Sequence, residues 1–201
     1  MHAFLETLRT QRWDDHRYYH HSLINQSLHL FSATSFLCMY VLLFWDPALA
    51  ALIGWLISMT SRQIGHFFFE PKGYDEINQA THEFKEAVKV GYNLRRKVIL
   101  HVIWGATPFV LYFDPTVLGI MHQWDGFSGF FHNLGLIWLF LGISGLVVRC
   151  VHLWAIEDLQ TGLCWVLKIV TDPFHDISLY YKAPGQLLQV GIANEFALRH
   201  R

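Results

Sequence analysis

Charge is what this sequence has least of. Asp, Glu, Lys and Arg make up 15% of its 201 residues, against about 25% in an average soluble domain. So few charged side chains cannot cover a water-facing surface of that size. The formal net charge is −1, and without a basic excess no nucleic-acid partner is expected. Cysteine is scarce: Cys38, Cys150 and Cys164 are odd in number and lack ligand spacing, which excludes a disulfide scaffold and a zinc ribbon. Repeats and low-complexity runs are missing, so solenoid, collagen-like and disordered readings fall away. Met1 to Arg17 is polar and has no signal-peptide core, so no cleaved leader is expected.

What is present is apolar. Hydrophobic residues reach 53%, with 16 Phe and 8 Trp, a composition that points to one integral-membrane domain over 1–201. A crossing helix needs about 20 apolar residues. Leu28 to Trp45 and Pro47 to Ile64 form two such runs, joined only by Asp46-Pro47. Proline cannot continue a helix, so this junction reads as a tight hairpin. Val98 to Phe113 and Phe130 to Val148 form a second pair. The expected fold is therefore all-α and polytopic, with about four transmembrane helices and cytoplasmic amphipathic helices. Its parts are a histidine-bearing hairpin (18–70), a cytoplasmic helix (71–97), a second pair of spans (98–148) and a cytoplasmic or interfacial C-terminal segment (149–201).

Basic residues test this arrangement. All 15 Lys and Arg fall on the side of the termini, and Asp46-Pro47 and Asp114 to Gly129 contain none. The positive-inside rule then places both termini in the cytoplasm, as in a bacterial inner membrane. A re-entrant first hairpin satisfies the same asymmetry. On that side, Ile77, Ala80, Phe84, Ala87 and Val88 predict an amphipathic helix over Asp75 to Lys89. Arg95, Arg96 and Lys97 read as a membrane-edge anchor. Leu153 to Val170 reads as an interfacial helix or an extension of the fourth span, and Asp172-Pro173 as the start of another helix.

Histidine is the unusual residue, with 13 copies. Eleven fall toward the cytoplasmic side and only His122 and His132 toward the other. In the segment around Tyr19-His20-His21, one helix would place His21, Asn25 and His29 on one stripe and His16 with His20 on a neighbouring one. Imidazoles at this spacing can chelate an ion, with an amide orienting the rings. The hairpin returns Gln63-Ile64-Gly65-His66 to the same depth, and Glu70 lies one turn beyond. His20, His21, His29 and His66 are the candidate metal ligands. His175 is a further candidate within Thr171-Asp172-Pro173-Phe174-His175-Asp176, while His82 reads as solvated. His101 and His152 either complete the site or bond to a neighbouring helix.

Imidazole ligands alone fit Fe, Zn, Cu or Ni. A site at the membrane edge suits a lipid whose head faces water, and O₂-dependent lipid oxidation requires redox-active iron. The run Tyr19-His20-His21-x3-Asn25-x3-His29, a hairpin, then Gln63 and Gly65-His66-x3-Glu70 resembles the small membrane-bound Fe(II)-dependent 2-hydroxy fatty acid dioxygenases of the yeast phytosphingosine-degradation type. The resemblance covers Tyr18 to Glu70, about a quarter of the chain, and not the half from Val98 onward. It departs after Glu70, where Pro71-Lys72-Gly73-Tyr74-Asp75 replaces the family's Pro-Ala-Leu segment.

The resemblance implies α-oxidation: O₂ removes one carbon from a 2-hydroxy fatty acid. By position it makes His20, His21, His29 and His66 iron-associated, with Asn25 and Glu70 as catalytic support. Fe(II) is the expected cofactor, and a fatty acid or other lipid, O₂ and the bilayer the expected partners. Arg62, or one of Arg95 to Lys97, would meet the carboxylate, and Phe67, Phe69 and Trp55 the chain. Two other classes fit parts of the sequence. His16-x3-His20-His21 echoes a di-iron hydroxylase or desaturase box; a non-catalytic haem carrier, for which His101 and His152 would be the pair, or a membrane scaffold is the other class. Oligomeric state is open.

Overall fold

In a computed structural model, residues 2–70, 73–192 and 194 are described. Met1, Pro71, Lys72, Ala193 and 195–201 lie outside the described residues, all but the first within the expected cytoplasmic and C-terminal segments. The described chain is all-helical: α1 (His2–Tyr19), α2 (Leu23–Leu42), α3 (Pro47–Ile53), a π-helical turn (Gly54–Met59), α4 (Thr60–Phe68), α5 (His82–Val88), α6 (Leu94–Phe113), α7 (Gly126–Ile156), α8 (Leu159–Tyr180) and α9 (Ala183–Val190).

The hairpin forms where the sequence places it. Asp46 caps α3 by accepting a hydrogen bond from Leu49 N at 2.9 Å, and Pro47 fills the first helical position, where no N–H is needed. The run α3–π–α4 then returns along α2. The single helix expected through the first histidines is instead broken at His20-His21-Ser22. Ser22 is extended and caps α2, its hydroxyl accepting from Asn25 N at 3.0 Å. Asn25 Nδ2 donates to the Tyr19 carbonyl at 2.8 Å and Gln26 Nε2 to that of His20 at 2.9 Å. The first turn of α2 thus satisfies carbonyls that the end of α1 leaves open.

Three other expectations need correction. The Asp75–Lys89 helix shrinks to α5, because Asp75 and Ala80 pair across a turn in which Asp75 accepts from Asn78 N, and Thr81 starts the helix. The Leu153–Val170 helix is split at Glu157, and Asp158 caps α8 through Thr161 N at 2.6 Å. Asp172 and Pro173 lie inside α8 and do not begin a helix.

α7 is the one described helix long and apolar enough to cross a membrane, with 31 residues and a mean hydropathy of 2.1 in its most apolar window. The other expected spans do not meet that standard: the returning arm is divided into α3, the π-helical turn and α4, each too short, and polar residues such as Asn25, His29 and Ser32 enter α2 to build the interior. α7 crosses α3 closely: a Cβ on Gly135 would lie 2.3 Å from the Ala48 carbonyl oxygen, and Ala48, Ala50 and Ala51 are buried. Around Ala51, Leu111, Leu134 and Trp138, the rings of Trp55 and Trp104 stack at 5.8 Å. Outward, α6 and α7 expose Val102, Phe109, Phe113, Phe140, Val148 and Trp154.

Candidate metal centre

The break between α1 and α2 turns His20 inward. α2 brings His29 to the same point from its second turn, and α4 brings His66 from the returning arm. One ring nitrogen from each of His20, His29 and His66 lies within 4.8 Å of the others. Ring centroids are 4.0 Å apart for His20–His29, 4.9 Å for His29–His66 and 5.5 Å for His20–His66. The approach depends on Gly65, where a Cβ would meet Asn25 Oδ1 at 2.2 Å and His29 Cδ2 at 3.4 Å. Asn25 therefore has two structural duties, sealing the α1–α2 break and abutting α4 beneath the rings.

Each ring has an oxygen on its outer side. His66 Nδ1–H donates to Glu70 Oε2 at 2.7 Å, and Glu70 Oε1 accepts from Lys89 Nζ at 3.0 Å. His20 Nδ1 is 2.8 Å from the Tyr180 hydroxyl, which is also 2.8 Å from His16 Nδ1. His29 Nδ1 faces Asp176 Oδ2 at 3.7 Å, an electrostatic contact longer than a hydrogen bond. On the inner side, Nε2 of His20 and of His29 are buried without a hydrogen-bond partner. Such orphans are costly, and a ligand ion is the group that would satisfy several converging lone pairs together. Burial, with His29 alongside, holds His20 well below the ordinary histidine range, so its ring is neutral and able to ligate.

A polar stripe on α8 carries the supporting oxygens. Lys168, Asp172, Asp176 and Tyr180 recur every fourth residue on one face. Asp176 holds Arg62 in a short ion pair, and Lys168 bridges Asp172 at 2.8 Å and Asp15 at 3.0 Å. Burial alone would raise the Asp15 carboxyl, but Lys168 overrides it and keeps Asp15 below the usual carboxylate range. α1 is fastened to α8 along the same line, with Arg12 donating to Thr171 Oγ1 at 2.5 Å and Gln11 to the Thr161 carbonyl at 3.3 Å.

No family model, curated protein or solved structure matches this chain. The geometry of its own residues therefore carries the functional reading.

Of the candidate residues, the structure unites His20, His29 and His66, with Asn25 and Glu70 against them. It leaves His21 and His175 apart. His21 turns outward, 3.5 Å from Asp75, because the chain break reverses adjacent side chains. His175 lines a cleft between α1 and α8 with His16 and Arg12. Arg62 is engaged by Asp176, while Phe67 packs edge-on against His101 at 5.7 Å and Phe69 ends α4 half-buried. His101 Nδ1 donates to the Lys97 carbonyl and His152 receives Arg149, each within its own helix. Tyr180 and Lys89 join the site without having been expected there. The four-residue spacing on α8 is the one sequence signal that points to Tyr180; Lys89 has none.

The Tyr180 contacts yield an expectation. A hydroxyl has one proton, so it donates to one ring and accepts from the other. If His20 ligates through Nε2, its Nδ1–H must donate to Tyr180, and Tyr180 must donate to His16. Tyr180→Phe should therefore weaken metal binding about 10- to 100-fold, as removing such outer partners typically does. Chelator competition measures it, and unchanged affinity would assign the His20 orientation to packing alone.

Proposed function

We propose that this protein is a membrane-embedded non-haem iron dioxygenase that shortens 2-hydroxy fatty acids by one carbon. The supporting observation is the buried convergence of His20, His29 and His66, with Nε2 of His20 and of His29 unpartnered and the three Nδ1 atoms facing Tyr180, Asp176 and Glu70. Three neutral imidazoles can hold Fe(II) and leave positions open for other ligands. The chemistry that iron supplies there when bound is activation of O₂ for cleavage of the C1–C2 bond.

The protein's own groups do the rest. Glu70 fixes the tautomer of His66 and holds a proton at its Nδ1, and Lys89 binds the other oxygen of that carboxylate at 3.0 Å. Burial of the rings excludes bulk water. The acyl chain runs along the apolar surface near Phe67, Phe69 and Trp55. Four spans with cytoplasmic termini would place this site at the cytoplasmic edge of a bacterial inner membrane. The distribution of all 15 Lys and Arg and the exposed apolar faces of α6 and α7 support that placement.

The test is elemental analysis and an optical spectrum of detergent-purified protein, followed by incubation with 2-hydroxyhexadecanoic acid under O₂. Near-stoichiometric iron, no Soret band and an O₂-dependent product one carbon shorter are expected. A Soret band would mean haem. Stoichiometric zinc would mean hydrolytic chemistry. A protein that stays metal-free after anaerobic Fe(II) loading would defeat the reading.

A further inference from the structure

Tyr180 joins two histidines that sit one helical turn apart. The amide of His20 donates to the His16 carbonyl at 3.1 Å, closing the last turn of α1. Both rings reach the same phenol from that turn, each with Nδ1 at 2.8 Å from the hydroxyl. Such a pair is spaced to ligate one ion, yet the converging nitrogens are those of His20, His29 and His66. His16 therefore shares a hydroxyl with His20 and not an ion.

The Tyr180 hydroxyl has no further hydrogen-bond partner among the described residues. With one proton to give, it can satisfy both contacts in two directions. In the first, His16 donates to Tyr180 and Tyr180 donates to His20, which places the His20 proton on Nε2 and removes the lone pair there. In the second, His20 donates to Tyr180 and Tyr180 donates to His16, which leaves the His20 Nε2 lone pair facing the cluster. Only the second direction permits ligation, and it requires His16 to accept. The surroundings of His16 suit that role. It is half-buried and lines the cleft between α1 and α8. Its Nε2 is not among the buried nitrogens that lack a partner, so a proton placed there is not stranded. Burial holds its ring below the ordinary histidine range, which leaves Nδ1 able to accept.

We propose that His16 is a positioning residue for the metal centre, accepting the Tyr180 proton and so holding His20 in the tautomer that can ligate. The assignment rests on the metal centre of the oxygenase reading, but the two can fail separately. Fe(II) affinity is measured by anaerobic chelator competition on full-length protein in detergent. His16→Leu removes the acceptor and lets the Tyr180 proton turn back on His20, so affinity should fall about tenfold. His16→Asn places an amide oxygen where Nδ1 stood, and should stay within about threefold of wild type. In a Tyr180→Phe background the phenol proton is gone, so adding His16→Leu should cost less than about twofold more. Circular dichroism establishes that each variant is folded, and His16→Met replaces His16→Leu if the latter is not. Equal losses for the leucine and asparagine variants overturn the assignment. So do unchanged affinity in the leucine variant and losses that simply add with that of Tyr180→Phe. Failure of wild type to bind Fe(II) overturns the metal centre itself.

Discussion

Detergent-purified His29→Ala protein should lose its metal and its turnover together. His29 is fully buried, sits between the other two rings at 4.0 and 4.9 Å, and both of its nitrogens lack a hydrogen-bond partner. Truncation removes one of three ligands and leaves a polar cavity lined by His20, His66 and Asp176. The affinity loss should exceed the 10- to 100-fold typical of an outer-partner mutation, so we expect at least about 100-fold. Iron content after anaerobic loading and dialysis against a weak chelator reads this directly. Should His29→Ala retain full iron and wild-type turnover, the three-histidine centre would not be the catalytic site. His66→Ala should behave alike, and His21→Ala should retain metal because His21 points outward.

Arg62→Met should destabilise the fold more than any of the histidine substitutions. The Arg62 and Asp176 side chains are 12% and 7% exposed. Removing one member of such a buried pair leaves the other charge uncompensated, at a typical cost of about 3–5 kcal/mol. Asp176 would retain only its long contact with His29 at 3.7 Å, so the lost charge should also disturb the metal centre. Adding Asp176→Leu should recover part of the stability, because replacing a whole buried pair with apolar groups is often nearly neutral. Thermal unfolding in detergent of both single variants and the double variant completes the cycle. A loss below about 1 kcal/mol for Arg62→Met would place the pair with surface ion pairs, whose contribution is small.

The contrast between His20 and His21 shows how far the sequence can be read. Spacing puts His21, Asn25 and His29 on one helical stripe, which assumes an unbroken helix. Ser22 can cap a helix as readily as it can sit within one, and its hydroxyl competes for backbone partners in either role. Asn25 and Gln26 settle the competition by bonding back to the Tyr19 and His20 carbonyls. Those bonds exist only once α1 and α2 are placed. The same holds at Asp172-Pro173: as a local dipeptide it reads as a helix start, yet contacts of Asp172 with Lys168 and Arg12 retain it within α8.

The all-helical class, the hairpin at Asp46-Pro47 that brings His29 and His66 to one depth, and the apolar α7 follow from the order of residues. Hydrophobic run length, a helix-breaking proline and side-chain spacing are local properties, and each is written in consecutive positions. The departure of His21 from the cluster and the capture of Arg62 by Asp176 arise only when the helices pack. So does the hold of Tyr180 on the His20 ring, across 160 residues of sequence. Hydrogen bonds and ion pairs between distant segments depend on how helices cross, and crossing is set by packing across the whole chain.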